Sequence, residues 1–135
     1  MKPFPRLQAL IYLLNICLTL LFPVALIAQE SSAQQSTELL KVAKSHLDSL
    51  DYDLAFEQGE KALSLYKASF GIEHLQTSKA LHLLGKIEFE RGDFDQAISY
   101  FTLALTIREN AKDRKDSLVL QTLIALGHAT EGKGD

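Results

Sequence analysis

The chain has 135 residues, of which 47% are hydrophobic and 23% are charged, and its formal net charge at pH 7 is -3. A protein that binds nucleic acid irrespective of sequence needs a dense stripe of Lys and Arg to neutralise phosphates. This mildly acidic chain has none, so nucleic acid is excluded as a partner. The single cysteine, Cys17, lies in an apolar leader, which excludes disulfides, a catalytic thiol and Cys-ligated zinc in the rest of the chain.

Residues 1–28 have the features of a secretory signal peptide. Lys2 and Arg6 precede an apolar run over residues 7–28, which Pro23 interrupts near its end. An uncleaved membrane anchor over 7–28 is the main alternative, because a helix of that length, at about 1.5 Å per residue, just crosses a hydrocarbon core of roughly 30 Å. A buried helix is the third interpretation of this segment. The expected localisation is therefore exported, either periplasmic or secreted, with membrane-anchored as the alternative.

The composition changes abruptly at residues 29–36, which consist of Gln, Glu, Ser and Ala. This segment is predicted to be a flexible spacer. Signal cleavage after Ala28 and cleavage after Ala33 both stay open, because each cut satisfies only part of the usual pattern.

Residues 37–135 contain an internal repeat. Shifted by 42 residues, the sequence matches itself at clustered positions, which pair Asp51 with Asp93, Ala55 with Ala97, Ala62 with Ala104, Leu84 with Leu126 and Gly85 with Gly127. A period of this length is the signature of a repeat architecture. We place two units at about 37–78 and 79–120, followed by a partial unit at 121–135.

Each unit is predicted to be a helical hairpin, because apolar residues recur at helical spacing in both of its halves. In the second unit Gly92 and Asp93 separate the halves, since glycine tolerates the bend and the aspartate can cap the next helix. No segment after the leader alternates as a strand does, so the fold class is all-α. The predicted helices span residues 37–50, 53–69, 75–91, 95–111 and 117–131.

The second unit carries small and large apolar residues at characteristic positions, namely Leu81, Leu84, Gly85, Gly92, Asp93, Phe94, Ala97, Phe101, Ala104 and Leu105. With these residues it resembles the tetratricopeptide repeat (TPR) family, and the 42-residue unit looks like the subclass found in kinesin light chains and in many bacterial repeat proteins. The resemblance implies a right-handed superhelix of antiparallel helix hairpins, here two full repeats plus one extra helix.

The sequence departs from the family pattern at several positions. In the second unit Leu81 replaces the common Trp and Glu88 replaces the common Tyr. The first unit is looser, because it has Ala43 at the position of Gly85, Leu50 at that of Gly92 and Gly59 at that of Phe101.

The resemblance also implies a non-catalytic module that binds a segment of a partner protein on its concave face. The positions expected there are Lys44, His82, Lys86, Phe89, Gln121 and His128. Such a mixed cationic and aromatic surface suits an extended or acidic peptide, with a merely solvated face as the alternative for each residue. The carboxylate clamp of chaperone-binding relatives is not reproduced, so chaperone C-termini are poor candidates.

No motif predicts an enzyme, a cofactor or a metal site, because the sequence contains no Gly-rich phosphate loop, nucleophile elbow or metal-ligand helix. The four histidines are interpreted as solvated or structural, and they are His46, His74, His82 and His128. The acidic pair Asp93 and Asp95 recurs as Asp51 and Asp53, which favours helix capping over paired catalytic carboxylates. A short basic cluster, Lys112, Arg114 and Lys115, is interpreted as a solvated loop.

The last helix has more apolar side chains than one neighbouring helix can cover, and they are Leu118, Leu120, Leu123, Ile124 and Leu126. We therefore expect either that the chain is a truncated piece of a longer repeat array or that this helix is buried by self-association. A functional alternative from another class is that the chain is the sensory front of a larger bacterial signalling protein, a histidine kinase or a protease, whose output domain is absent.

Overall fold

The computed structural model of the chain describes residues 5–112 and 115–134, with the side chains of 5–8, 18–26 and 29 left out. These residues form five α-helices, which are α1 (Pro5–Asp48), α2 (Tyr52–Phe70), α3 (Leu75–Arg91), α4 (Phe94–Asn110) and α5 (Asp116–Gly134). No strand occurs in the described ranges, so the all-α prediction is confirmed. The last four predicted helices agree with α2–α5 to within three residues at every end.

The first helix is longer than predicted. The predicted start at residue 37 is wrong, because α1 runs without a break through residues 29–36, the segment predicted to be a flexible spacer. That segment contains no Gly or Pro, and the buried Ser36 hydroxyl donates a hydrogen bond to the Ala33 carbonyl at 2.8 Å. The Ser32 hydroxyl also lies 2.8 Å from the Ser69 hydroxyl of α2, which ties the segment to the repeat. The division into leader, spacer and repeat units stays a prediction.

Of the predicted signal peptide, residues 1–28, the first four lie outside the described residues. Its apolar run, residues 7–28, which is also the alternative membrane anchor, belongs to α1. In the part of the chain that the structure describes, no helix is long and apolar enough to cross a bilayer.

Helices α3 and α4 form an antiparallel hairpin. Phe89, near the end of α3, packs edge-on against Phe94 at the start of α4, with ring centroids 5.6 Å apart. At the other end of the pair, Arg108 of α4 donates to the Ser78 hydroxyl of α3 at 3.2 Å. Each helix packs mainly on the helices that precede and follow it in sequence, so the five helices form a serial array.

The turns between the helices of each hairpin repeat the same hydrogen-bond pattern. Asp93 N–H donates to the Glu88 carbonyl at 2.9 Å, and Asp51 N–H donates to the His46 carbonyl at the same distance. The residue before each aspartate has a positive φ, +84° at Gly92 and +62° at Leu50. Glycine adopts this backbone without strain, whereas a leucine does not, so the first hairpin keeps the turn geometry at an energetic cost.

The equivalent aspartates cap helices, as predicted. The Asp51 and Asp93 carboxylates accept hydrogen bonds from backbone amides in the first turns of α2 and α4. The second aspartate of each pair instead forms an ion pair with a basic side chain in the last turn of the following helix. Asp53 pairs with Arg91 of α3, and Asp95 pairs with Lys133 of α5. Within each pair, one aspartate therefore caps a helix and the other connects two consecutive hairpins.

The core changes character between the two hairpins. A Cβ on Gly59 would lie 2.9 Å from Cδ2 of Leu84, so the missing side chain lets α3 pack closely on α2. At the equivalent position of α4, the buried Phe101 ring fills the space between helices, and Ala97 and Ala129 complete a second small core. The Phe101 ring also borders a groove between α3 and α5.

Candidate partner-binding groove

The first helices of consecutive units, α3 and α5, border a groove with a volume of about 290 Å³. Its lining residues are His82, Lys86, Phe89, Glu90, Phe101, Gln121, Ile124, Ala125 and His128. The structure thus brings together five of the six residues assigned to the concave face from sequence. The sixth, Lys44, is exposed on α1 and does not line this groove.

Helical spacing explains why these side chains converge. His82, Lys86 and Phe89 are separated by four and three residues, so they lie on one face of α3. Gln121 and His128 are separated by two turns and lie on one face of α5. The repeat therefore places the two faces side by side.

Sequence reasoning missed four of the lining residues. Phe101 was assigned to core packing alone, and Ile124 and Ala125 lie one turn from His128 on the same face of α5. Glu90 lies four residues after Lys86, the spacing of neighbours on a helix surface, which was a usable signal for it.

Phe101 from α4 forms part of the groove wall, and Gly85 allows it to do so. A Cβ on Gly85 would lie 2.7 Å from two carbons of the Phe101 ring, a distance at which the ring would have to move. The ring also packs against the imidazole of His82, with centroids 5.3 Å apart and an interplanar angle of 55°. The Phe101 ring therefore forms an aromatic part of the groove wall, and Gly85 sets the position of that ring.

His82 is neutral at pH 7. Burial, followed by the positive charges of Arg108 and Lys86, lowers its pKa to about 4. Nη1 of Arg108 lies 3.5 Å from Nδ1 of His82. Because a guanidinium can only donate, this long contact favours the tautomer with its proton on Nε2. His82 therefore adds no positive charge to the groove, whereas Lys86 supplies an ammonium.

Arg108 connects α3, α4 and the start of α5. It is buried, and it donates to the Ser78 hydroxyl at 3.2 Å, to the Leu118 carbonyl at 2.9 Å and to the Thr122 hydroxyl. Burial lowers its pKa, and no carboxylate of the described residues forms an ion pair with it. The acceptors that the structure describes around the guanidinium are neutral, and its positive charge contributes to the lowered pKa of His82.

A larger and shallower depression, about 760 Å³ in volume, lies on α1 and α2. Its charged side chains, Lys41 and Glu38, form an ion pair at 3.1 Å, and Tyr66 donates to the Thr37 hydroxyl at 3.2 Å. Because these polar groups are already paired with each other, they offer less to a ligand than the side chains between α3 and α5.

The other histidines and the basic cluster are placed only in part. His74 caps α3, where its Nδ1 accepts from the Gln76 amide at 3.2 Å, and its ring stacks on Phe70. Among the residues described, no group of three or more potential metal ligands converges. Arg114, from the predicted basic loop, lies outside the described residues.

A comparison with known families identifies the repeat. The sequence pattern of the family described as Tetratricopeptide repeat matches residues 35–110, which is more than half of the chain. The chain belongs to the tetratricopeptide repeat family. No curated protein sequence matches it significantly.

The TPR match covers the end of α1 and all of α2, α3 and α4, so it includes the α3 side of the groove and stops before α5. TPR proteins generally mediate protein–protein interaction and are typically non-catalytic modules. The assignment to the kinesin-light-chain-like subclass stays a prediction.

Proposed function

We propose that this TPR protein binds an extended segment of a partner protein in the groove between α3 and α5. The observation that carries the proposal is the convergence of an ammonium, two histidines, an amide and aromatic carbon on one groove that no described side chain fills. Sites for peptides combine apolar area with a few polar groups that fix orientation, and this groove has both.

The charges in the groove define the segment that fits. Lys86 supplies a charge-assisted hydrogen bond to a carboxylate, whereas the buried His82 stays neutral and adds no second charge. Glu90, one turn further along α3, repels an acid and accepts hydrogen bonds. The proposed ligand therefore has one acidic residue for Lys86, flanked by an apolar side chain that packs on Phe89 and Phe101.

Site-specific photo-crosslinking in cells that produce the protein tests this function. A photoreactive amino acid at Gln121, which is exposed in the groove, is expected to trap a partner. The same amino acid at Thr102, which is exposed on α4 outside the groove, is the matched control. Equal capture at both positions, or capture at Thr102 alone, would contradict the proposal.

We further propose that the module acts outside the cytoplasm, because Lys2 and Arg6 precede the apolar run as in a secretory signal. Cell fractionation followed by mass spectrometry of the N-terminus gives the test. An exported protein is expected to begin at a residue between 29 and 36, whereas a cytoplasmic protein that keeps Met1 would refute the proposal.

A further inference from the structure

Arg108 is a buried cation that lies beside the groove without lining it. The residue is 2% exposed, and its Nε donates to the Ser78 hydroxyl at 3.2 Å. Its Nη1 donates to the Leu118 carbonyl at 2.9 Å and to the Thr122 hydroxyl. Because these acceptors belong to α3 and α5, they fix the guanidinium between the two helices that border the groove.

The fixed guanidinium determines which ring nitrogen of His82 carries the proton. Nη1 of Arg108 lies 3.5 Å from Nδ1 of His82. A guanidinium nitrogen can only donate, so a proton on Nδ1 would place two donors against each other. The imidazole therefore keeps its lone pair on Nδ1 and its proton on Nε2. Burial and the positive charge of Arg108 also lower the pKa of the ring to about 4, so the imidazole is neutral at pH 7.

Nε2 of His82 is open to the groove. None of the described residues forms a hydrogen bond with it, and no described side-chain nitrogen that lacks a partner is buried. Nε2 is therefore accessible, although the residue as a whole is only 8% exposed. Since His82 lines the groove, its accessible edge faces the groove. The groove thus contains a neutral N–H donor whose hydrogen bond is available to a ligand.

Packing holds this donor in place. The Phe101 ring lies against the imidazole, with centroids 5.3 Å apart, and Arg108 lies at the Nδ1 edge. A ring that is held by a neighbouring ring and at one edge loses little freedom when its N–H binds an acceptor. The donor is therefore preorganised.

The surroundings of Nε2 favour a neutral acceptor. Phe101, Ile124 and Ala125 also line the groove, and beside such apolar groups a carboxylate loses more solvation than a carbonyl. Lys86, to which the acid of the segment is assigned, lies one turn further along α3, about 6 Å away. An extended chain advances roughly 3.3 Å per residue, so a backbone carbonyl about two residues from that acid reaches His82.

We propose that Arg108 is a positioning residue for partner binding, which holds His82 as a neutral Nε2–H donor to a backbone carbonyl of the bound segment. The proposal rests on the proposed function, because it assigns a role within the same groove. It adds a backbone hydrogen bond to the contacts with Lys86 and Phe89. A residue that does not line the groove thus controls what the groove binds.

The position of the proton on His82 tests the first half of the proposal without any ligand. Long-range proton–nitrogen NMR of the full chain, labelled with nitrogen-15 histidine, is expected to show the proton on Nε2 at pH 7. The signal is assigned by its loss in His82→Gln. His74 is the internal reference, because its Nδ1 accepts from the Gln76 amide and its proton is therefore also on Nε2.

Arg108→Met shows whether the guanidinium selects this tautomer. Without the guanidinium, we expect a mixture in which part of His82 carries its proton on Nδ1. Arg91→Met is the matched control, because it removes a guanidinium that pairs with Asp53 outside the groove, and it should leave the His82 signals unchanged. The wild-type measurement decides even where Arg108→Met does not fold, because a proton on Nδ1 in the wild type would by itself overturn the proposal.

The second half is tested with a peptide selected from a random library on the full chain and counter-selected against Lys86→Glu. Replacing its peptide bonds one at a time by esters weakens each carbonyl as an acceptor. One ester, about two residues from the acid, is expected to weaken binding roughly three- to tenfold. This loss should disappear in His82→Phe, which keeps an aromatic ring but has no N–H. His82→Gln, whose amide keeps a donor, is the matched control and should retain the loss.

Two further results would overturn the proposal and leave the groove as the binding surface. One is an Nε2–H tautomer that Arg108→Met does not change. The other is a peptide for which no ester has an effect that depends on His82. A library that yields no peptide dependent on Lys86 would instead contradict the proposed function, and with it the bound segment that this proposal requires.

Discussion

His82 takes part in core packing and also lines the proposed binding groove. It packs on Phe101, lies beside the buried Arg108 and lines the groove, so it is dehydrated and close to two positive charges. Both effects disfavour the imidazolium, and they lower its pKa to about 4. A neutral groove histidine at pH 7 follows from neighbours that sequence spacing could not reveal.

The lowered pKa of His82 predicts a loss of stability in mild acid. Above pH 6.5 the residue is neutral in both the folded and the unfolded chain, so it contributes no pH dependence. Between pH 6.5 and about 4 only the unfolded chain takes up the proton, so stability falls as the pH falls. The expected loss between pH 7 and pH 5 is on the order of 1–2 kcal/mol, measured by urea unfolding. His82→Gln should reduce this loss, and an identical loss in the variant would contradict the assignment.

Phe101 is the residue on which the second core depends most. Its ring is buried between α3 and α5 and packs over Gly85. Phe101→Ala is expected to cost roughly 3–5 kcal/mol, because it leaves a cavity that the helices cannot fully close. Urea denaturation gives the comparison, with Phe70→Ala as the control, since Phe70 is partly exposed and should cost much less. A midpoint unchanged by Phe101→Ala would refute the register of α4.

At the scale of the element, the turn between α1 and α2 shows strain that the turn between α3 and α4 avoids. Leu50 has a φ of +62°, where the equivalent Gly92 has a φ of +84°. The Leu50 side chain is exposed, so little packing offsets the strain. Leu50→Gly is therefore expected to raise the free energy of unfolding by about 0.5–1 kcal/mol in chemical denaturation. The reciprocal Gly92→Leu should lower it, and a destabilised Leu50→Gly variant would show that the leucine has a stabilising contact.

Two equivalent glycines should respond in opposite directions. Gly85→Ala places a Cβ 2.7 Å from the Phe101 ring and is expected to destabilise the chain by about 1–3 kcal/mol. Gly127→Ala meets nothing and should stabilise it by up to about 1 kcal/mol, because alanine is the better helix former. Thermal unfolding of both variants distinguishes the covered face from the uncovered one, and destabilisation of equal size would mean that α5 is covered as well.

The helices could be predicted from the sequence because each hairpin contains residues that end its first helix and cap its second. Gly92 and Asp93, or Leu50 and Asp51, end one helix and cap the next, and apolar residues at helical spacing fill the intervals. The start of α1 was predicted wrongly for the same reason. Residues 29–36 are polar but contain no breaker, so nothing in that segment stops a helix that its neighbours stabilise.

At the scale of the whole molecule, a serial array determines which residues meet. Five of the six predicted groove residues converge because α3 and α5 are consecutive first helices of the repeat. Lys44 belongs to α1, one unit earlier, and the groove does not reach it. The repeat period and the face of each helix that lines the groove can be predicted from the sequence. The extent of the groove cannot, because it depends on side chains such as Phe101 that reach the groove from the second helix of a hairpin.

The central claim is that the α3–α5 groove is the surface that binds the partner, and a pair of charge reversals tests it most directly. Lys86 lies in the groove and Lys44 outside it, and both are exposed lysines on first helices of the repeat. For the partner captured at Gln121, titration calorimetry is expected to show at least tenfold weaker binding to Lys86→Glu, about 1.4 kcal/mol, and less than twofold weaker binding to Lys44→Glu. Equal loss in both variants, or no loss in Lys86→Glu, would contradict the account.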